Sequence, residues 1–438
     1  MKPYRVLLFI VACLGVLAVL CMVLPHEVAI GERTLRWPTL SEVMGGEPSD
    51  ISYQYSDTIA ELEEFPVAPD SLLAADTTSI EKPKPIAPPV VHVDSVTDSR
   101  IFLQSFYASL TETSSHVVRV MHYGDSQIEE DRMTQQIRQQ LQDAYGGRGA
   151  GLLPLAQTIP TLTVRQELFM NDRRVNPAQG PRRYIVYSFK RDQRADGMYG
   201  PMGQMAYMAD SLVKGSETIT AVCTPLDGRA HYTRWRVFAD DSIDYSFAGD
   251  TVYLNGKGAV YGLSQESSTG IIVDNIPMRG CLGTVFTKIN TEQLQRFYRE
   301  ENVRLIILQY GGNAIPSNRN PGTIAAIVSG LRDQVRYLKR CAPEASILFI
   351  GPSDMLTQED GEWQTYPMVP YMDRLLRKMA LEENIAYFSL FRWMGGSGSM
   401  LRWREIGLSG NDGVHFTRSG ARKAGNAVAE WILEGKDL

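Results

Sequence analysis

Apolar residues run without a charge from Val6 to Leu24 (VLLFIVACLGVLAVLCMVL), lose all period until about residue 98, and then return at two alternating rhythms. The first run is long enough to cross a hydrocarbon core of about 30 Å as a helix. Lys2 and Arg5 precede it and Glu27 and Glu32 follow, so the positive-inside rule predicts a cytoplasmic N-terminus. No small-x-small cleavage site follows the run. Ile10-Val11-Ala12-Cys13 is similar to a lipoprotein cleavage box, yet apolar residues continue well past it. Residues 1–25 therefore read as an uncleaved, single-pass inner-membrane anchor, with everything after it in the periplasm. Acidic and small polar residues prevail up to Ser79 and give way to EKPKPIAPPVV, so 26–98 reads as a Pro-rich, extended linker.

Beyond it, Ser99–Ala108 has the pattern of a short helix, and in Val117–Ser126 (VVRVMHYGDS) a short apolar, β-branched run reads as a strand ending in Gly-Asp-Ser. It runs straight into a helical pattern, with Ile128, Met133, Ile137 and Leu141 at four-to-five-residue steps. Tyr145–Pro154 (YGGRGAGLLP) is predicted to be a loop. Its glycines follow a helix and no Lys-Ser/Thr stands behind them, which excludes a phosphate cradle.

From Thr161 to about Asp274 the rhythm changes to two. Tyr232–Phe238, Ile243–Phe247 and Thr251–Leu254 alternate at strand period, and Asn255-Gly256 gives a hairpin signal. Residues 161–275 are thus predicted to form a β-rich insertion, a small sandwich. Of its aromatic residues Tyr232, Trp235, Tyr245, Tyr253 and Tyr261, most are expected in core or cross-strand packing, with one or two left to stack on a sugar. From about Ile276 strands and helices alternate again. Val303–Tyr310, Ser346–Gly351 and Ile385–Phe388 are strands, and Pro321–Arg340, Tyr371–Glu383 and Thr417–Leu433 are helices. The fold class predicted is α/β, a doubly wound, flavodoxin-like parallel sheet built from 99–160 and 276–438.

Composition narrows the function. A net charge of -6 over 438 residues offers no basic stripe for nucleic acid and no cationic face for anionic lipid. Of five cysteines, Cys13 and Cys21 fall in the apolar run, and Cys223, Cys281 and Cys341 have no metal-like spacing. They read as small, semi-buried residues, and spacing does not decide whether Cys223 and Cys281 pair in an oxidising compartment. No metal or organic cofactor is implied.

The chemistry-bearing residues gather where such a sheet places its C-terminal loops. A serine in a tight strand-to-helix turn has its Oγ exposed beside backbone N–H groups. Gly280–Thr284 (GCLGT), Gly311-Gly312-Asn313 and Asp412-Gly413-Val414-His415 follow in order. The last spacing allows Asp412 to hold one ring nitrogen of His415 while the other faces a nucleophile.

These four blocks resemble those of the SGNH (GDSL-type) hydrolases, over roughly residues 100–160 and 276–438. The resemblance implies Ser126 as nucleophile, His415 as general base and acid, and Asp412 as its orienting partner. It implies an oxyanion hole from the N–H groups of Ser126 and Gly283 and the Asn313 amide, with Asp125, Gln127 and Gly312 facing the substrate. One departure is that Ala314 stands where an acid usually follows the asparagine. The anchor, the GDSQ turn and the insertion further resemble bacterial envelope-glycan O-acetylesterases and O-acetyltransferases. The function expected is removal or transfer of O-acetyl groups on a cell-envelope polysaccharide such as peptidoglycan, through an acyl-enzyme. The partners expected are that glycan, the membrane through the anchor, and a membrane protein supplying acyl groups. The rival readings are a catalytically silent glycan-binding scaffold and a lipase or lysophospholipase.

Overall fold

The computed structural model describes residues 27–30, 33–36 and 98–437, except 156–158, 172, 176–218, 227–233, 240–242, 257–259, 290 and 360. The apolar run at 6–24 and most of the linker lie outside the described residues, among which no helix is long and apolar enough to cross a membrane. Within the stretch read as an extended linker, Glu27–Ile30 (β1) pairs antiparallel with Arg33–Arg36 (β2). Two β-prone runs separated by Gly31-Glu32 suffice for a hairpin, which corrects the linker reading there.

The larger unit begins with the short helix Gln104–Ser109 (α1), the strand Val117–Gly124 (β3) and the helix Thr134–Tyr145 (α2). Next come the strands Gly151–Leu153 (β4), Val164–Met170 (β5), Arg173–Val175 (β6) and Ile219–Pro225 (β7). Arg234–Ala239 (β8), Ile243–Ala248 (β9), Thr251–Gly256 (β10) and Val260–Glu266 (β11) complete the insertion, and Gly270–Pro277 (β12) returns to the core. The C-terminal lobe runs Thr291–Glu300 (α3), Val303–Gln309 (β13), Pro321–Cys341 (α4) and Ser346–Gly351 (β14), followed by the hairpin Leu356–Glu359 (β15) and Glu362–Thr365 (β16). It ends with Val369–Glu382 (α5), Ala386–Ser389 (β17), Leu390–Met394 (α6), Ser399–Glu405 (α7) and Arg418–Glu434 (α8).

The central sheet has the order β12-β3-β13-β14-β17, every neighbouring pair parallel. In chain order that is 2-1-3-4-5, so the winding reverses between β3 and β13, where such folds bind ligands beyond the strand ends. Side chains of β13 alternate between two cores. Ile306 and Leu308 join α4 and α5 residues such as Val328, Leu331 and Leu376, whereas Leu305 and Ile307 join α1, α2 and α8 residues such as Phe106, Ile137 and Val428. Burial on both faces accounts for the continuous apolar reading of that strand. The long helices start where their caps dictate: Asn320 accepts from the Gly322 N–H with Pro321 in the first turn, and Thr417 accepts from the Gly420 N–H. Helix α8 packs on α2 through small residues, and a Cβ on Gly425 would lie 2.5 Å from the Met133 carbonyl.

The insertion has two sheets, β6-β5-β7-β10-β9 and β4-β11-β8, antiparallel throughout. Inward residues of both, among them Val164, Ile219, Ala221 and Leu254 with Trp235 and Leu263, fall in one buried cluster. Three boundaries differ from the reading of the sequence. Strand β4, placed there in a loop before the insertion, pairs with β11 of the insertion. Strand β12, assigned there to the insertion, pairs with β3, so the α/β rhythm resumes at Gly270. Asn255 and Gly256 are paired with Asp244 and Ile243 inside β10, and the turn of that hairpin is Gly249-Asp250. Of the aromatic residues, Trp235 is buried with its indole N–H on the Gly249 carbonyl, whereas Tyr245 and Tyr253 are exposed by 49% and 38%. The side chains of Tyr232 and Tyr261 lie outside the described set.

A buried ionic cluster joins insertion to core. Arg119 of β3 donates to Asp274 of β12 at 2.9 and 3.0 Å, pairs with Glu266 of β11 and lies 3.3 Å from Glu301. Arg234 and Arg236 of β8 reach Glu266 and Glu301 from the outer side. The opposed charges lift the Arg119 guanidinium above its usual range despite the burial that works against it.

Candidate active site

Ser126 stands directly beyond β3 and Gly311–Asn313 directly beyond β13, on the two sides of the reversal point. The Ser126 hydroxyl donates to His415 Nε2 at 2.9 Å. The opposite ring nitrogen, Nδ1–H, donates to Asp412 Oδ2 at 2.7 Å. The other oxygen of Asp412 accepts from the Val414 and His415 N–H groups, each at 3.0 Å. Burial works against the Asp412 charge, but the ring and these two N–H groups outweigh it and hold its pKa below the ordinary carboxylate value. The structure thus brings Ser126 to a histidine 289 positions away and its aspartate, with the hydroxyl and both ring nitrogens in one line of hydrogen bonds.

The turn that carries Ser126 is not a plain helix start. Ser126–Asp131 is 3-10 in type but broken by a kink at Glu129-Glu130, Glu130 and Asp131 have φ of 60° and 62°, and α2 begins only at Thr134. Two successive left-handed residues that are not glycine cost energy that neighbours must offset. The Glu130 carbonyl accepts from the Leu162 N–H, and Asp131 is held by Thr163 and by Arg138. The first residues of the insertion therefore fix the end of the nucleophile turn.

The remaining residues expected in the site have these neighbours. Asp125 and Gln127, expected to face the substrate, both bond to neighbouring protein groups. The buried Asp125 carboxylate accepts from the Gln127 N–H and from the Asn313 amide, each at 3.0 Å. Burial pushes its pKa up to about 6, and the Gln127 N–H offsets part of that rise. The Gln127 side chain donates to the Val414 carbonyl at 2.7 Å and accepts from the Phe416 N–H. The Asn313 amide makes its second bond to the Cys281 carbonyl at 3.2 Å, so both of its hydrogens are engaged. The Gly283 N–H is directed at Cys281 Sγ, 3.2 Å away. A Cβ there would lie 2.6 Å from the Tyr310 ring, at a φ of +83°, so both space and backbone require glycine. Gly312 lies against Asp125 and Met355. Cys223, Cys281 and Cys341 are all buried and none is in a disulfide, so the question of a Cys223–Cys281 bridge is answered by two separate residues.

Two contacts had no signature in the sequence. Arg132 donates to three carbonyls, those of Glu129, Ser126 and Phe416, at 3.0, 3.0 and 3.1 Å. Arg279, on the block that holds Gly280 and Gly283, binds the buried Glu129 carboxylate through Nε and Nη2 at 2.9 and 2.7 Å. The carbonyl partners of Arg132 become visible only once a turn stands where the sequence pattern suggests a helix.

This fold, a five-stranded parallel sheet flanked by helices and carrying a β-rich insertion, recurs among solved structures. A solved peptidoglycan O-acetylesterase is similar at a TM-score of 0.59 and 20% identity, over 78% of this chain and 99% of that one. The chain cannot supply that share without part of the β-rich insertion. A carbohydrate acetylesterase from Sinorhizobium meliloti (16% identity, 37% of this chain, 79% of that one, TM-score 0.28) matches a smaller part. So does a GDSL-like lipase from Parabacteroides merdae (19% identity, 38% and 73%, TM-score 0.28). No known family profile and no curated protein matches the sequence.

Proposed function

We propose that this protein is a serine esterase that removes or transfers O-acetyl groups on a cell-envelope polysaccharide. The observation that carries the reading is the aligned set Ser126 Oγ–His415 Nε2 and His415 Nδ1–Asp412 at 2.9 and 2.7 Å, at the reversal point of a parallel sheet. The hydroxyl attacks the ester carbonyl while His415 takes its proton, and Asp412 holds the ring in the tautomer that leaves Nε2 free to do so. An acetyl-Ser126 ester forms, the sugar hydroxyl leaves with the proton returned from His415, and water or a second sugar hydroxyl then accepts the acetyl group. The Ser126 N–H, with Gly283 and Asn313 after they exchange their present partners on Cys281 and Asp125, is assigned to the oxyanion. Removing one such donor costs about 10²–10³ in rate.

The polysaccharide is inferred from the likeness to the peptidoglycan O-acetylesterase together with the insertion, whose exposed Tyr245 and Phe247 offer faces on which a sugar ring stacks. The apolar run at 6–24 supports an inner-membrane anchor with the unit from residue 98 onward in the periplasm. A reporter fused after Leu438 tests that topology, and cytoplasmic reporter activity would refute it. For the reaction, the protein is incubated with an acetyl ester, with and without O-acetylated or bare peptidoglycan, for wild type and Ser126→Ala. Acetate lost in the variant means hydrolysis, and acetylated glycan means transfer. A wild type that neither turns over nor takes a fluorophosphonate label would establish the silent glycan-binding alternative.

A further inference from the structure

His415 approaches Ser126 from a chain segment 289 positions away, and the hydroxyl–imidazole bond is only one of the links between them. Three further hydrogen bonds tie the two segments, and a fourth anchors the clamp to Ser126. Gln127 donates to the Val414 carbonyl at 2.7 Å and accepts from the Phe416 N–H at 3.4 Å, so it grips the residues on either side of His415. Arg132 adds the Phe416 carbonyl at 3.1 Å through Nη1 and, through Nη2, the Ser126 carbonyl itself at 3.0 Å. Its Nε takes the Glu129 carbonyl at 3.0 Å, at the kink between Ser126 and Arg132. The planar fork of the guanidinium suits this task, because its donors point in fixed and different directions, whereas an ammonium is a point charge on a rotatable stem.

Two features mark the arrangement as more than incidental packing. Among the described residues no carboxylate forms an ion pair with Arg132, so all its hydrogen bonds go to backbone carbonyls of the two segments that carry the reacting groups. The Asp412–His415 pair, in contrast, is internal to one four-residue turn and closed by the Val414 and His415 N–H groups, so it needs neither Gln127 nor Arg132. The histidine's orientation is thus set within its own turn, and its distance to the nucleophile is set by the clamp.

We infer that Arg132 and Gln127 are positioning residues, which hold the His415 segment at proton-transfer distance from Ser126. The inference rests on the serine-esterase reading for its kinetic consequence, though not for its structural one. Proton transfer needs heavy atoms about 2.6–3.2 Å apart, and a displacement of about 1 Å costs on the order of 10²-fold. Arg132→Ala is therefore expected to lower kcat by about 10²-fold with KM nearly unchanged, since its hydrogen bonds go to backbone carbonyls of the two segments. Gln127→Ala should act in the same direction. Arg132→Lys keeps the charge but not the fork and should recover little, whereas guanidinium ion added to Arg132→Ala should restore part of the rate.

The test measures kcat and KM on an acetyl ester for the wild type and these variants, thermal unfolding, and the ¹H and ¹⁵N resonances of the His415 ring. The expected result is a kcat loss with the Nδ1–H signal of the Asp412 bond retained and the Nε2 environment changed. Full activity in both Arg132→Ala and Gln127→Ala, or full recovery in Arg132→Lys, would overturn the clamp. If Arg132→Ala does not fold, Gln127→Ala and Arg132→Lys carry the same comparison. A wild type without turnover would sink the esterase reading alone. The ring signals then decide the clamp, and an unchanged Nε2 environment in the variants would refute it.

Discussion

Asp125 accepts the Asn313 side-chain amide at 3.0 Å, so the residue next to the nucleophile holds the asparagine from the neighbouring strand end in place. It does so at a cost. The carboxylate is 5% exposed, and burial raises its pKa from 3.8 to about 6. The sign follows from linkage. The native state binds this proton more tightly than the unfolded chain, so stability is greatest below the unfolded value and is lost as the pH rises from about 4 through 6. The full difference is on the order of 3 kcal/mol. Asp125→Asn should flatten the pH dependence of thermal unfolding between pH 4 and 7. The same variant should lower kcat, because an amide turned to accept from Asn313 presents its own donors to the Gln127 N–H. A pH–stability curve in the variant that overlays the wild type would show that Asp125 is ionised at ordinary cost.

Asp412 has the opposite sign. Its pKa is lowered by the His415 ring and two N–H groups against the pull of burial, so it stabilises the native state at neutral pH and that contribution is lost as the pH falls below about 3.8. Asp412→Asn offers an amide whose N–H₂ opposes the Nδ1–H, which favours the wrong tautomer and leaves Nε2 protonated toward Ser126. The expected loss in kcat is about 10⁴-fold, with the fold intact by circular dichroism. A loss of less than tenfold would mean that Asp412 only shapes the turn.

Gly283 was expected from the sequence as an oxyanion donor, and the structure adds a packing requirement. Alanine there would place its Cβ 2.6 Å from the buried Tyr310 ring, in a backbone region that L residues rarely adopt. Gly283→Ala should cost about 2–4 kcal/mol in urea unfolding, combining overpacking with backbone strain. Tyr310→Phe, which keeps the ring, should leave the site's geometry alone and so serves as the control. Gly283→Ala with wild-type stability would mean that the loop holding Cys281 yields freely.

What the sequence made legible depended on how local the cause was. Strand β13 and helices α4 and α8 could be read because two-sided burial, an Asn-Pro cap and a threonine cap are written in adjacent residues. The Asp412–His415 pair was legible for the same reason, since three residues of spacing close the turn. Strand β12 was misassigned because an apolar, β-branched run does not say which sheet it joins; its partner is β3, across the whole insertion. Gln127 and Arg132 were invisible as a clamp because their partners lie 287 and 284 positions away. The left-handed step at Glu130-Asp131 is stabilised by Leu162, Thr163 and Arg138, so no propensity of its own residues announces it.

The junction of insertion and core gives the last prediction. Arg119 is fully buried and is the common partner of Asp274, Glu266 and Glu301, which come from the central sheet, the insertion and the end of α3. Its removal leaves three carboxylates together in a region of low dielectric, with the partly exposed Arg234 and Arg236 reaching in from the rim. Breaking a buried pair from one side costs about 3–5 kcal/mol, because the charges left behind are uncompensated. Arg119→Met should therefore be strongly destabilising. Because Arg119 lies on β3, the strand that ends at Ser126, the loss should reach the site as well as the insertion. Replacing Arg119 together with Glu266 and Asp274 by apolar residues of similar volume should recover much of the stability, since the desolvation cost disappears with the charges. Thermal unfolding of the single and triple variants checks both. A single variant as stable as the wild type would mean that the rim arginines and solvent already balance the three acids.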